Sequence, residues 1–177
     1  MGQPRPLPPP ERLQELLFDA ARLGRADMIL PLCQAGADLE AHDARGYTAL
    51  ILASYNGSLE ATQALLEAGA QVDAPDTARG NTALMGVAFK GFGEIVTCLL
   101  GAGAEVDRRN LAGQTALMMA ALFGHGVIVE ALIAVGADPA LVDVAGNSAR
   151  SVAAAQSNAA MLMLLDVACP VIGALDG

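Results

Sequence analysis

The chain has no tryptophan, and two tyrosines and four phenylalanines are its whole aromatic content in 177 residues. A β-sandwich or barrel draws on aromatic and β-branched strands, so this scarcity argues against both. Two histidines and three cysteines (Cys33, Cys98 and Cys169), none at paired ligand spacing, offer no disulfide framework and no HExxH or CxxC metal site. Basic residues are few as well: 10 Lys plus Arg against 19 Asp plus Glu leave a net charge of −9. A surface of that sign repels phosphate, which speaks against nucleic acid or an acidic membrane as a general partner. The opening MGQPRPLPPP holds five prolines and no apolar run, so residues 1–10 are expected to be an extended arm and not a secretory signal. Two stretches nearly free of charge, 110–129 and 144–165, contain Gly, Asn, Gln or Ser and are expected to be packed helices, not membrane spans. Without an export or membrane signal, a cytoplasmic setting with reduced thiols is the expectation.

What the chain does have is small apolar mass. Alanine alone supplies 36 residues, and 54% of the chain is hydrophobic, ample for a core and incompatible with global disorder. That mass is arranged periodically. GYTAL at Gly46–Leu50 returns as GNTAL at Gly80–Leu84 and GQTAL at Gly113–Leu117, then as the degenerate GNSAR at Gly146–Arg150, with spacings of 34, 33 and 33. Gly-Ala pairs beginning at Gly36, Gly69, Gly103 and Gly136 keep the same period, as do Gly24, Gly57, Gly91 and Gly124. The one extra residue falls between Gly69 and Gly80.

Each unit reads as two short helices and a turn. Thr48 is placed to cap a helix filled by Leu50, Ile51, Leu52 and Ala53, and Gly57 ends it. A second helix over 59–67 turns Ala61, Thr62, Leu65 and Leu66 inward and closes at Gly69. The Asp-, Pro- and Gly-rich link to the next Gly-x-Thr reads as a protruding turn. Neither helix would hold alone, so stacking of units must bury their faces.

The pattern G-x-T-A-L-x-x-A-x-x-x-G, a second helix, then L-L-x-x-G-A-x-V-D resembles the ankyrin repeat. The resemblance covers 11–168 and implies an all-α solenoid of about five helix-turn-helix units with protruding β-turn loops. The expected organisation is an N-terminal cap at 11–40, units at 41–73, 74–107 and 108–140, a C-terminal cap at 141–168 and a tail at 169–177. Two departures stand out. Ala49, Ala83 and Ala116 replace the family's proline, and Ile51, Met85 and Met118 replace its histidine, so the family's histidine ladder is missing. Gly86 and Val87 are expected to loosen the first helix of the third unit and make it the most adaptable.

A search for chemistry finds little. His42 is expected in an exposed turn and His125 at the start of a second helix, neither in a metal cluster. No nucleophile elbow or phosphate loop is present, and Gly91-Phe92-Gly93 lacks the strand and third glycine of a dinucleotide fingerprint. Asp73 with Asp76, and Glu105 with Asp107, recur where the repeat places turn residues and are expected to be solvated turn caps. Asn56-Gly57-Ser58 is a glycosylation sequon that a cytoplasmic chain would not present to its machinery. Cys33 aligns with Leu66 and is expected to be buried, whereas Cys98 and Cys169 leave room for a redox role. No catalytic residue, cofactor or metal ligand is expected.

The resemblance implies docking of a partner protein on the concave side, formed by turns and first-helix ends. Carried onto this chain, the turn positions are His42, Ala44, Arg45, Tyr47, Arg79, Asn81, Arg109, Leu111 and Gln114. The first-helix positions are Tyr55, Asn56, Phe89, Lys90, Leu122 and Phe123. Four of the six aromatics and four of the ten basic residues fall in this set, which suggests a groove for an acidic or amphipathic segment. The competing reading has Tyr55, Phe89 and Leu122 packed between first helices and the arginines paired with turn aspartates. At the C-terminal cap, Met161, Met163 and Leu164 are expected to give an outer face of little polarity, covered by the tail or by self-association, with a monomer expected. The function expected is thus a non-catalytic protein-interaction module, with a small-molecule or thiol redox sensor as the alternative. Similarity to small stand-alone bacterial ankyrin proteins, some linked with catalase activity, implies an accessory role to a stress-defence enzyme such as catalase.

Overall fold

The computed structural model describes residues 8–168, which form ten helices. They alternate along the chain as five pairs: α1 (Pro10–Arg22) with α2 (Ala26–Gln34), α3 (Ala49–Tyr55) with α4 (Leu59–Glu67), and α5 (Ala83–Lys90) with α6 (Gly93–Gly101). The last two pairs are α7 (Ala116–Leu122) with α8 (Gly126–Ala134) and α9 (Ala149–Ala155) with α10 (Ala159–Ala168). No strand occurs among the described residues, and no helix is long and apolar enough to cross a membrane.

The local causes are repetitive. Thr48, Thr82 and Thr115 each accept the backbone N–H three residues on, at 3.3–3.4 Å, and so start α3, α5 and α7. Behind each cap the alanine in place of proline is fully buried, as are Leu50, Leu84 and Leu117. Ile51, Met85 and Met118, in the histidine's place, are buried too, so an apolar row fills the space of the absent ladder. Each of these large side chains contributes about 1.5–3 kcal/mol by leaving water. All three glycine series take positive φ. In the last unit Ser157, at φ 54°, stands where the others have glycine.

Pairs stack in two rows, first helices on first helices and second on second, and the first-helix row is the more tightly packed. That row therefore lies on the inner side of the array. Units are also stitched through their loops. The side chains of Glu40, Asp73 and Asp107 accept the backbone N–H of Gln71, Glu105 and Asp138 in the following unit, at 2.8–3.2 Å, and within the N-terminal cap Gln14 accepts that of Asp38 at 2.8 Å. Turns join as well: Thr77 donates its N–H to the Gly46 carbonyl, Leu111 to Arg79, and Val144 to Ala112.

Several expectations are corrected. Asp76 is buried, not solvated, because its carboxylate folds back onto its own turn, and Asp43 is buried in the same way. Asp76 accepts N–H groups from Ala78, Arg79, Gly80 and Asn81, and Asn110 does the equivalent for Ala112 and Gln114. Asp73 is half-buried, and Glu105 is exposed and paired with Arg108 at 3.2 Å. The extra residue sits in the Asp76–Asn81 turn, where the closing hydrogen bond spans five residues instead of the four of Asp43–Tyr47. Helix α5 is continuous through Gly86, and that glycine serves an approach: a Cβ there would lie 3.3 Å from the Tyr55 ring. Cys33 is half-buried. In the last unit Met161 points inward and is buried, while Met163 is exposed. The outward face carries Arg150 and Ser151 where inner units bury Leu117 and Met118, and Arg150 is paired with Asp166 at 2.7 Å. It is a polar terminal face. Cys169 and the tail proposed to cover it lie outside the described residues, as does most of the proline arm.

Candidate functional site

The inner surface has three parallel rows. The C-terminal ends of α3, α5 and α7 bear Tyr55, Phe89 and Phe123, whose rings meet: Tyr55 and Phe89 stack at 6.3 Å with planes 17° apart, and Phe89 meets Phe123 edge-on at 4.3 Å. They remain 42%, 36% and 47% exposed, so packing between helices does not use them up. Lys90 places its Nζ 5.1 Å from the Tyr55 ring centre and 5.9 Å from that of Phe92. The ridge exists because Gly86 lets Tyr55 lean onto α5. Leu122, in the same series, is half-buried.

Below the ridge lies a floor at one turn's remove, formed by Leu52, Gly86 and Met119, all small or apolar. The third row is the turns that lead into the first helices. Arg45 and Arg79 are exposed there, and neither forms an ion pair among the described residues. The pairing of turn arginines with aspartates is therefore not what holds them. Arg109 differs: it donates to the carbonyls of Gly113 and Val142 and ties two turns together. An arginine that does pair with a turn aspartate comes from outside the predicted set, Arg22 of α1, 2.5 Å from Asp43.

Other predicted positions are structural as placed. Asn81 and Gln114 accept hydrogen bonds from the Asn110 amide at 2.8 and 3.2 Å, and Asn56 donates to the Leu52 carbonyl at 2.7 Å as a helix-end cap. His42 contacts the Pro75 carbonyl at 3.0 Å, and Tyr47 is half-buried with its N–H on Asp43. Leu111 is 75% exposed at its turn tip. The sequence reading overlooked the His125 ring, which covers Gly91 and contacts the Phe89 carbonyl at 3.0 Å, holding α5 from the next unit. The signal was available: Ser58, Phe92, His125 and Asn158 recur one residue after the hinge position and cover the previous unit's glycine.

Charge is segregated between the rows. Helices α3, α5 and α7 contain Lys90 and no acid, whereas α4, α6 and α8 contain Glu60, Glu67, Glu94 and Glu130 and no base. At the ends of the array α1 carries Glu11, Glu15 and Asp19 with Arg12 and Arg22, and Arg150 of α9 is paired with Asp166 of α10. The turn acids Asp43 and Asp76 are withdrawn into backbone hydrogen bonds. In a chain of net charge −9, the stretch of the inner face formed by α3, α5 and α7, with Arg45 and Arg79 at its turns, is thus locally basic. The two thiols among the described residues, Cys33 and Cys98, are both half-buried. Burial pushes the Cys33 thiol up, and burial followed by the charge of Glu67 does the same to Cys98, away from the reactive thiolate. No cluster of metal-ligating side chains occurs among the described residues.

Comparison with known proteins agrees with this architecture. The family model for ankyrin repeats (3 copies) matches residues 17–110 and again 84–171. The chain is also 42% identical over 64 residues to the ankyrin repeat domain-containing protein SAT10 of Stachybotrys chartarum (strain CBS 109288 / IBT 7711). That stretch is 36% of this chain and spans 3% of the much longer relative. With nearly its whole length matched and its turns, caps and stacked helix pairs in register, the chain belongs to the ankyrin repeat family.

Proposed function

We propose that the chain is a protein-docking module that captures a partner on its inner face, with no chemistry of its own. Ankyrin repeats as a family are generally protein–protein interaction modules. The observation that carries the reading is the joined but exposed ring ridge of Tyr55, Phe89 and Phe123, with Lys90 over it and Arg45 and Arg79 opposite. Aromatic and arginine side chains dominate binding energy where they can be desolvated together, and a local positive field steers acidic partners to an otherwise acidic molecule. The module is expected to act as a monomer, in keeping with its polar terminal face, and in the cytoplasm.

The test compares capture from native extract by the wild type and by a Tyr55→Ala, Phe89→Ala, Arg79→Ala variant of unchanged circular dichroism. Proteins retained by the wild type and lost by the variant support the reading. Retention by both moves the site elsewhere. An accessory role to catalase is one instance of such docking, and catalase among the ridge-dependent proteins would single it out.

A further inference from the structure

We infer that the occupant of this surface is an α-helix, acidic along one flank and apolar along the next, lying lengthwise across the units. The inference rests on the docking reading above and adds the partner's conformation and charge pattern. First, the backbone groups that link neighbouring turns are not open to an added strand. Thr77 is bonded to Gly46, Leu111 to Arg79 and Val144 to Ala112. A helix satisfies its own backbone and needs none of these groups.

Second, the dimensions fit. The ridge and the turn row are separated by one first helix of about seven residues, roughly 10 Å, which is the diameter of a helix with its side chains. The floor between them is apolar, with Leu52 and Met119 on either side of Gly86, against which the Tyr55 ring rests. Along the array, packed helices repeat at about 8–10 Å. A helical partner repeats its surface every heptad, about 10.5 Å, near the upper end of that spacing, so successive heptads can meet the two neighbouring units that carry Arg45 and Arg79.

Third, the charges are complementary. Arg45 and Arg79, one per unit on the turn side, have no ion partner among the described residues, and Lys90 stands on the ridge side. Helices α3, α5 and α7 present no competing acid. At the α1 end, Asp19 and Asp43 share the Arg22 guanidinium, at 3.1 and 2.5 Å, so the basic stretch is bounded there by acid. Carboxylates one heptad apart would meet Arg45 and Arg79 while an apolar seam covers Tyr55, Phe89 and Phe123.

The experiment is selection of a displayed library of random 21-residue peptides on the intact chain. Counter-selection uses Phe89→Ala and the double variant Arg45→Glu, Arg79→Glu, each first checked for an unchanged melting profile. The expected winners depend on both sites, carry apolar residues at spacings of three and four with acids at a spacing of seven, and gain helicity on binding. Their affinity should fall about tenfold or more on the double variant and return when their acids are changed to lysine. Winners that need Phe89 but are basic, proline-rich or alternating in polarity would overturn the helical acidic occupant and leave the docking surface standing. If no peptide depends on either site, both readings fall.

Discussion

Asp43 and Asp76 show how one side chain organises a whole turn. Each carboxylate takes backbone N–H groups that would otherwise be stranded under the next unit. Asp76→Ala should cost about 2–3 kcal/mol in urea unfolding, since a buried donor set loses its acceptor. Asp43 adds a pH dependence. Burial opposes its ionisation, but the Tyr47 N–H, the Arg22 guanidinium and the Arg45 N–H outweigh burial and hold the carboxyl below its ordinary range. Its contribution is then complete above the unfolded carboxylate value of about 3.9 and is lost as pH falls through the lower folded value. Stability measured from neutral pH downward should therefore drop less steeply in Asp43→Asn than in the wild type. Gly46 shows a different constraint. It combines φ +85° with the Thr77 hydroxyl standing against the place a Cβ would take. Gly46→Ala should destabilise by more than the roughly 1 kcal/mol of left-handed strain alone, because Thr77 belongs to the turn that Gly46 holds.

At the level of the helix, the sequence was most legible where the physics is local. Threonine caps, glycine ends and apolar spacing placed α4 at Leu59–Glu67 without error, since each signal acts within one turn of the chain. It was least legible where a residue answers to another unit. Gly86 reads as a weak helix former from propensity, yet its neighbour across the stack is the Tyr55 ring. Asp76 reads as a solvated turn residue, and the backbone N–H groups of its own turn, from Ala78 to Asn81, draw the carboxylate in and bury it. The ridge residues were all named from the repeat register, but their ring contacts depend on side-chain directions that register does not give. Gly86→Ala separates the two influences. The added methyl raises helix propensity by about 1 kcal/mol, and Tyr55, 42% exposed, is the side chain that shifts to admit it. The variant should melt at higher temperature while binding ridge-dependent peptides less tightly, a split that a purely structural glycine would not produce.

Across the molecule, stability is the sum of units and the seams between them, and the ends are where such a sum must stop. Arg150 and Ser151 stop it here, occupying positions that every inner unit fills with buried apolar side chains. Restoring those side chains, as Arg150→Leu with Ser151→Met, should leave the fold intact and produce concentration-dependent association in light scattering. The scarcity of aromatics has a last consequence. With no tryptophan in the chain, its near-ultraviolet emission comes from Tyr47 and Tyr55 alone. Tyr47 is half-buried beside its turn, whereas Tyr55 stands in the ridge beneath Lys90. The docking surface therefore carries its own optical reporter. A partner that seats on the ridge changes the surroundings of one of two fluorophores, and its arrival can be timed by stopped flow without any label.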